Sequence, residues 1–467
     1  MTARALLLLL LITVVAGCGR KPTPVMNDPV PIVATTETQL TTAPHGHILT
    51  NTAVWSPDSQ WIVYDVRSDP AGSVFDGTRI ERVNVRTKQI EVLYESKNGA
   101  CVGVATVNPI DGRIVFIHGP EFPTPEWNYS ACHREGVIVD PKSPFIAIPL
   151  EARDVVPPFT FGALRGGTHL HTWDSNGKMV SFTYEDHVLT HGIAEGKEPN
   201  RRTIGLALWP EKITPRSKHE RNRVGSYFTF LIADTVANPR PGSDEVGRAF
   251  EEGWIPGMAA LTFIGEVVAT DGRRVNELFI LEIGTNPLKP MESELGTEKT
   301  LPKALRPGRQ IRVTRFADLP GTSGLVTSPR HWPRASPDGK RIAFIDNGGY
   351  WETCLNPVYQ PGDVKDEGKW KVNYGSYKVL STEINQRISS AFTWHPNSRH
   401  LGAIVDKSVC LIDTDSAKVT PLTAPSDPSP RPEACVVSPD GTMIAFVRMV
   451  NGFNQIFIVD VPAEAVK

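Results

Sequence analysis

Four histidines, His169, His171, His187 and His191, crowd the stretch from Arg165 to Gly192. Imidazole is both a common metal ligand and the side chain that titrates nearest neutral pH. Thr168 to Trp173 alternates, so on a strand His169, His171 and Trp173 share one face. Two imidazoles so placed can converge on one ion, each Nε2 about 2.0–2.2 Å from a divalent metal. Asp174-Ser175-Asn176-Gly177 reads as a turn, and Met179 to Tyr184 as a second strand rich in β-formers. The chemistry to expect is a divalent metal, manganese or zinc, or general acid–base work. The competing reading is that these rings only hydrogen-bond in a wet, polar depression.

The elements that must hold these residues come from a repeat. An apolar strand, a Ser-Pro-Asp-Gly-like turn and a second apolar strand recur at Ser56-Pro57-Asp58-Ser59, Asn108-Pro109-Ile110-Asp111-Gly112, Ser336-Pro337-Asp338-Gly339, His395-Pro396-Asn397-Ser398 and Ser438-Pro439-Asp440-Gly441. The histidine-rich stretch is a further copy. A weaker one spans Ala259–Ile264 and Glu277–Glu282, with Asp271-Gly272 as its turn. Proline presets φ, Asp bonds the backbone ahead of it and Gly closes the turn. Repeats of this length are blades of a β-propeller. The fold class is therefore all-β, with four-stranded blades, seven in number or six as the alternative, closed by a strand from residues 30–41.

Propeller topology puts residues before a blade's first strand, and after its second, at one end of the channel. His169, His171, His187, His191, His118, His331 and Asp186 meet that condition, as do the carboxylates Asp65, Glu185 and Asp346. His395 and His400 belong to the opposite end, and His133 and His219 to outer segments. Asp244 to Glu252 reads as a short helix with acidic residues in its first turn.

The chain has 467 residues and a net charge of −2, so no overall field recruits nucleic acid. The basic run from Arg201 to Arg223 is interrupted by Glu211 and Glu220 and lacks aromatics for base stacking. Arg4 followed by the apolar run Ala5 to Val15 reads as an export signal. Residues 19–44, rich in Pro and Thr, form a tether and the closing strand, and residues 45–467 the propeller. Export permits disulfides, and Cys101 with Cys132, and Cys410 with Cys435, are the pairs to test; Cys354 makes the count odd.

Four resemblances sharpen this. Val15-Ala16-Gly17-Cys18 resembles a bacterial lipobox, which implies cleavage after residue 17, lipid on Cys18 and a chain facing the periplasm; Gly19 points to the outer membrane. The turn repeat resembles the propeller of the TolB C-terminal domain. Gly166 to His171, Glu185 to Val188, Asn238 to Glu245 and Glu252 to Trp254 resemble the YidR-like propeller family. More distantly, His169-x-His171 resembles the manganese-binding pair of oligogalacturonate lyases, whose motif carries a Gln where Gly166 stands. That resemblance implies a base for abstracting a proton beside a uronate carboxylate, and cations to hold the carboxylate, for which Arg165 and Arg330 are candidates. The expected function is an envelope scaffold that binds a protein or glycan; the alternative is a metal-dependent, lyase-type enzyme acting on a carbohydrate.

Overall fold

The three Ser-Pro-Asp turns fold through the same short hydrogen bonds. Ser56 Oγ donates to Asp58 Oδ1 (2.5 Å) and accepts the Trp61 amide (2.9 Å), while Asp58 Oδ1 accepts the Gln60 amide. Ser336 with Asp338, and Ser438 with Asp440, repeat the pattern. In the sixth blade His395 takes the serine's place: its Nδ1 accepts the Asn397 amide and its Nε2–H donates to the Gly441 carbonyl of the next blade. His395 is thus a turn residue, as its position in the repeat predicts.

The protein, here a computed structural model, is described over residues 35–190, 196–283, 294–305, 309–347, 351–356, 378–379 and 388–467. The signal segment, Cys18, most of the tether and His191 lie outside the described residues. Seven four-stranded antiparallel sheets follow in chain order. Blade 1 is Gly46–Ile48, Trp61–Arg67, Arg79–Asn84 and Ile90–Glu95. Blade 2 is Val102–Val107, Ile114–His118, Glu135–Asp140 and Ser143–Pro149. Blade 3 is Gly166–Trp173, Val180–Asp186, Thr203–Ile213 and Gly225–Leu231. Blade 4 is Arg248–Trp254, Ala260–Val268, Arg274–Glu282 and Gln310–Arg312; blade 5 is Arg334–Ala335, Ile342–Asn347, Trp351–Asn356 and Lys378–Val379. Blade 6 is Thr393–Trp394, His400–Val405, Ser408–Asp413 and Val419–Pro421. Blade 7 is Cys435–Val437, Met443–Val450, Phe453–Asp460 and, returning from the N-terminal side, Glu37–Gln39.

Glu37 to Gln39 pair antiparallel with Val459 to Phe457, so the expected closing strand is present. The Glu37 carboxylate also receives two bonds of 2.7 Å from Arg448. Seven apolar clusters lie between successive blades, and the last, with Leu40, Ala445 and Ile456 against Val54, Ile62 and Tyr64, joins blade 7 to blade 1. Successive residues of one strand feed opposite clusters: Ile342 and Phe344 pack towards blade 4, Ala343 and Ile345 towards blade 6. A strand buried on both faces needs an unbroken apolar run, which the sequence supplies after each turn.

Contacts across the ring identify the first strands as the innermost. Arg334 of blade 5 donates to Thr52 Oγ1 and the Asn51 carbonyl near the first strand of blade 1, and Asn51 reaches Phe392 and Cys435 beside blades 6 and 7. One local expectation is corrected. The segment read as a helix, Asp244 to Glu252, runs into the inner strand Arg248–Trp254, whose alternate residues Ala249 and Phe250 enter different interblade cores. Asp271-Gly272 joins the second and third strands of that blade rather than the first two.

Candidate functional site

The inner strands of blades 2, 3 and 4 share a departure from regular pairing. Each holds one residue in the left-handed region: Val104 (φ 58°), Leu170 (φ 50°) and Glu251 (φ 54°). The register slips there, between Gly103 and Thr106, His169 and Thr172, and Phe250 and Gly253. Positive φ is costly for these residues, most of all for β-branched Val104. Such bulges re-aim side chains and concentrate beside functional sites.

The bulge at Leu170 breaks the alternation that would set His169 and His171 side by side. His169 Nε2 accepts a 2.8 Å bond from Arg330, whose guanidinium also holds Glu251 at 2.8 Å. His171 Nε2–H donates to Thr168 Oγ1 (2.9 Å), and Thr168 donates onward to Glu151 (2.8 Å), which also receives the Gly136 amide. Burial drives the His169 ring well below its ordinary range and His171 down to about 3. Both are neutral. Glu252, the position in blade 4 that matches His171, accepts the Thr183 hydroxyl at 2.8 Å. Burial pushes its carboxyl up to about 8, so it keeps its proton at neutral pH.

The remaining candidates are placed separately. His118 sits between the Gly119 carbonyl (2.6 Å) and the Tyr94 hydroxyl (3.0 Å), 3.8 Å from Glu135. His331 uses both nitrogens on backbone, Nε2 accepting the Ile345 amide and Nδ1 facing the Pro329 carbonyl. Burial lowers each to about 4. Asp186 is buried against Arg165, Tyr184 and the Leu189 amide. Arg165, bonded to Asp186 and to the Thr297 and Thr300 carbonyls, is a structural cation, whereas Arg330 stays half-exposed. Cys101, Cys132, Cys410 and Cys435 are free thiols in the structure.

His187 instead joins two residues outside the set expected at the channel mouth. His133 Nε2 lies 2.9 Å from His187 Nδ1, and Cys132 is next to it in the chain. Ligand atoms of Cys132, His133 and His187 all fall within 4.8 Å of one another. The loop 119–134 carries Cys132 and His133 over the start of blade 3, and Gly167 admits it, while Gly166 lies against Glu185 to His187 of its own blade. A Cβ on Gly167 would lie 2.3 Å from the Ala131 carbonyl, and one on Gly166 2.1 Å from that of Glu185. This glycine pair was the available signal. It shows why the position of the lyase glutamine has no side chain here.

Beside this group opens a pocket of about 530 Å³. Tyr94, Phe122 and Trp127 supply its aromatic walls, and Glu135, Arg153, Arg221 and Arg223 its charge. Arg153 holds Glu135 at 2.9 Å and Arg223 pairs with the same carboxylate. Phe122, at φ 48°, stands 67% exposed on the rim. Arg153 and Arg221 both lie against Trp127, each 5.6 Å from its ring centre.

A family model described as "Protein of unknown function (DUF3748)" matches residues 101–223, the span that contains the bulged strand of blade 3, the Cys132 loop and most of the pocket. Over 422 residues the chain is 40% identical to "Uncharacterized protein YidR" of Escherichia coli (strain K12), covering 88% of this chain and 94% of that one. The chain belongs to the YidR family. Among solved structures, this YidR-family propeller aligns with an oligogalacturonate lyase in complex with manganese at a TM-score of 0.53 and 10% identity, over 94% of this chain and 99% of the other. A putative TolB from Agrobacterium tumefaciens aligns at 0.39 and 13% identity, over 82% and 97%. At these identities the likeness to the lyase is one of fold.

Proposed function

We propose that this YidR-family protein is a lipid-anchored propeller of the cell envelope, facing the periplasm, that binds a carbohydrate at the loop face of blades 1 to 3. The pocket carries the reading. Its volume of about 530 Å³ fits a small ligand or a few sugar units rather than a flat protein surface. Phe122 and Tyr94 offer stacking faces over the buried Trp127, and Arg221, Glu220 and Asn222 offer the polar bonds that hydroxyl groups need. The export signal and the lipobox-like Cys18 support the location.

Oligosaccharide titration, followed by tryptophan fluorescence, tests the binding. Saturable quenching that is lost in Trp127→Ala and weakened about tenfold in Arg221→Ala is expected, roughly one to two good contacts each. Binding indifferent to both variants, or a protein partner bound on another face, would overturn it. For the anchor, Cys18→Ala should move the protein from the detergent-extracted membrane fraction to the soluble one. Unchanged fractionation would remove the anchor from the proposal.

A second reading, a lyase-type enzyme acting on a carbohydrate, is favoured by one constellation: protonated Glu252 close to Glu251, Arg330 and His169 on the inner strands. Groups titrating near neutrality beside a cation suit proton transfer. Formation of an unsaturated uronate from oligogalacturonate, abolished in Glu252→Gln, would establish it, and no turnover would dismiss it.

A further inference from the structure

The loop over blades 2 and 3 carries a donor set that neither the turn repeat nor the pocket explains. His133 Nδ1 faces the Asn128 carbonyl at 2.8 Å and so carries hydrogen, which leaves the lone pair on Nε2. That nitrogen points to His187, 2.9 Å away. A metal-ligating histidine usually donates its other ring N–H to a carbonyl or carboxylate in this way. Trp127 lies flat on His133, ring centres 4.0 Å apart, and meets His187 at an angle of 61° with centres 4.4 Å apart. The indole fixes both ring planes. Cys132 is buried, its Sγ 3.3 Å from the Ser130 hydroxyl, and Gly167 lets its backbone come close.

We propose that Cys132, His133 and His187 bind one thiophilic divalent ion of the zinc class, which staples loop 119–134 of blade 2 to the end of the second strand of blade 3. One thiolate and two imidazoles form a donor set that tetrahedral zinc takes, at about 2.3 Å to sulfur and 2.0–2.1 Å to nitrogen. Manganese favours carboxylate, carbonyl and water oxygens, so a thiol-bearing set does not fit the ion found with the structurally similar lyase. His169 and His171, with their separate partners, do not supply a manganese site either. Three protein ligands leave the fourth position to a water or a ligand group. The thiol proton passes to solvent as the sulfur–metal bond forms. Trp127 belongs to both this group and the pocket, so the ion also stiffens a pocket wall. The inference stands apart from the carbohydrate reading, whose fluorescence test can be run with chelator present.

The test uses tag-free full-length protein, stripped with chelator and titrated with Co²⁺, then Zn²⁺. One Co²⁺ per chain is expected, with tetrahedral ligand-field absorption and a thiolate-to-cobalt charge-transfer band that Zn²⁺ abolishes. Cys132→Ser should lose the band, and His133→Ala the site, while His219→Ala in an outer loop keeps both. Cobalt bound without a thiolate band, stoichiometry unchanged in Cys132→Ser, or Mn²⁺ binding as tight as Zn²⁺ would overturn the proposal. If Cys132→Ser does not fold, the parent decides: Zn²⁺ must slow alkylation of Cys132, mapped by mass spectrometry, and equal rates with and without Zn²⁺ would refute the site.

Discussion

Blades 2, 3 and 4 differ from blades 6 and 7 in the one strand that faces the channel. The first group breaks register at Val104, Leu170 and Glu251, and places His171 and Glu252 in buried polar bonds. The second group pairs short inner strands, Thr393–Trp394 and Cys435–Val437, without a register slip. Their polar ties are plain backbone links such as Thr393 Oγ1 to the Cys435 carbonyl. The turn motif is common to both groups, so it builds the scaffold. What distinguishes the chemically loaded side of the ring is local backbone strain and loops seated on glycine. A repeat can therefore carry one specialised sector while its other blades serve closure and stability.

The sharpest way to break this comparison is a pair of glycine substitutions. In Gly167→Ala the new methyl meets backbone at 2.3 Å, in Gly402→Ala it meets the Val437 and Ile444 side chains at 2.8 and 3.2 Å. Side chains can yield and a seated loop cannot, so Gly167→Ala should cost about 3 kcal/mol or more and Gly402→Ala about 1–2 kcal/mol. Denaturant midpoints compare them, and equal costs would remove the special standing of the loop.

Next come two ion pairs. Arg165 and Asp186 are both buried in blade 3, whereas in blade 6 the Arg399 guanidinium is exposed over a buried Asp413 that keeps its bonds to Ser416 and the Asp415 amide. Arg165→Met strands a buried carboxyl and should cost about 3–5 kcal/mol. Arg399→Met should cost less than about 1 kcal/mol. Thermal melts that rank them in the reverse order would show that the loaded sector is not where the buried charge matters.

Taken per group and per pH unit, the smallest effect is in pH. His118 and His331, at about 4, and His171, at about 3, lie below their ordinary 6.5, so the unfolded chain takes up protons that the fold refuses. Their stabilisation is present above 6.5 and is lost as pH falls towards 4. Glu252 runs the other way, from an ordinary 4.5 to about 8: its contribution is present below 4.5 and is lost as pH rises through 8. Each slope is at most about 1.4 kcal/mol per pH unit. Stability measured from pH 4 to 9 should therefore rise to about pH 6.5 and fall from there to about pH 8, and Glu252→Gln should steepen the acid side and flatten the alkaline side. If the variant leaves that side unchanged, the protonated carboxyl is not there.

The scaffold was legible because its signals are local. Ser-Pro-Asp-Gly turns and apolar runs specify blades wherever they occur, and the last copy, lacking one strand, pointed to the partner found in Glu37–Gln39. Arg330 was also read to the correct neighbourhood, beside His169. The site was harder because its decisive features are not local. Leucine and valine carry no signature of positive φ, so nothing announced the bulges that redirect His169 and His171. Cys132 and His133 gain their meaning only when loop 119–134 lies over Gly167, a contact between blades that spacing along the chain does not encode.

The pairing of Glu37–Gln39 with Phe457–Val459 has a consequence in time. The two partners lie more than 400 residues apart, so the ring must remain open until nearly all the described chain has been made. Until then Phe453–Asp460 is an unpaired edge, the kind of edge that other chains can add to. Long-range closure of this sort is slow. Closure of the ring therefore waits for the first described strand to meet the last, and the interval before it is when aggregation competes most strongly.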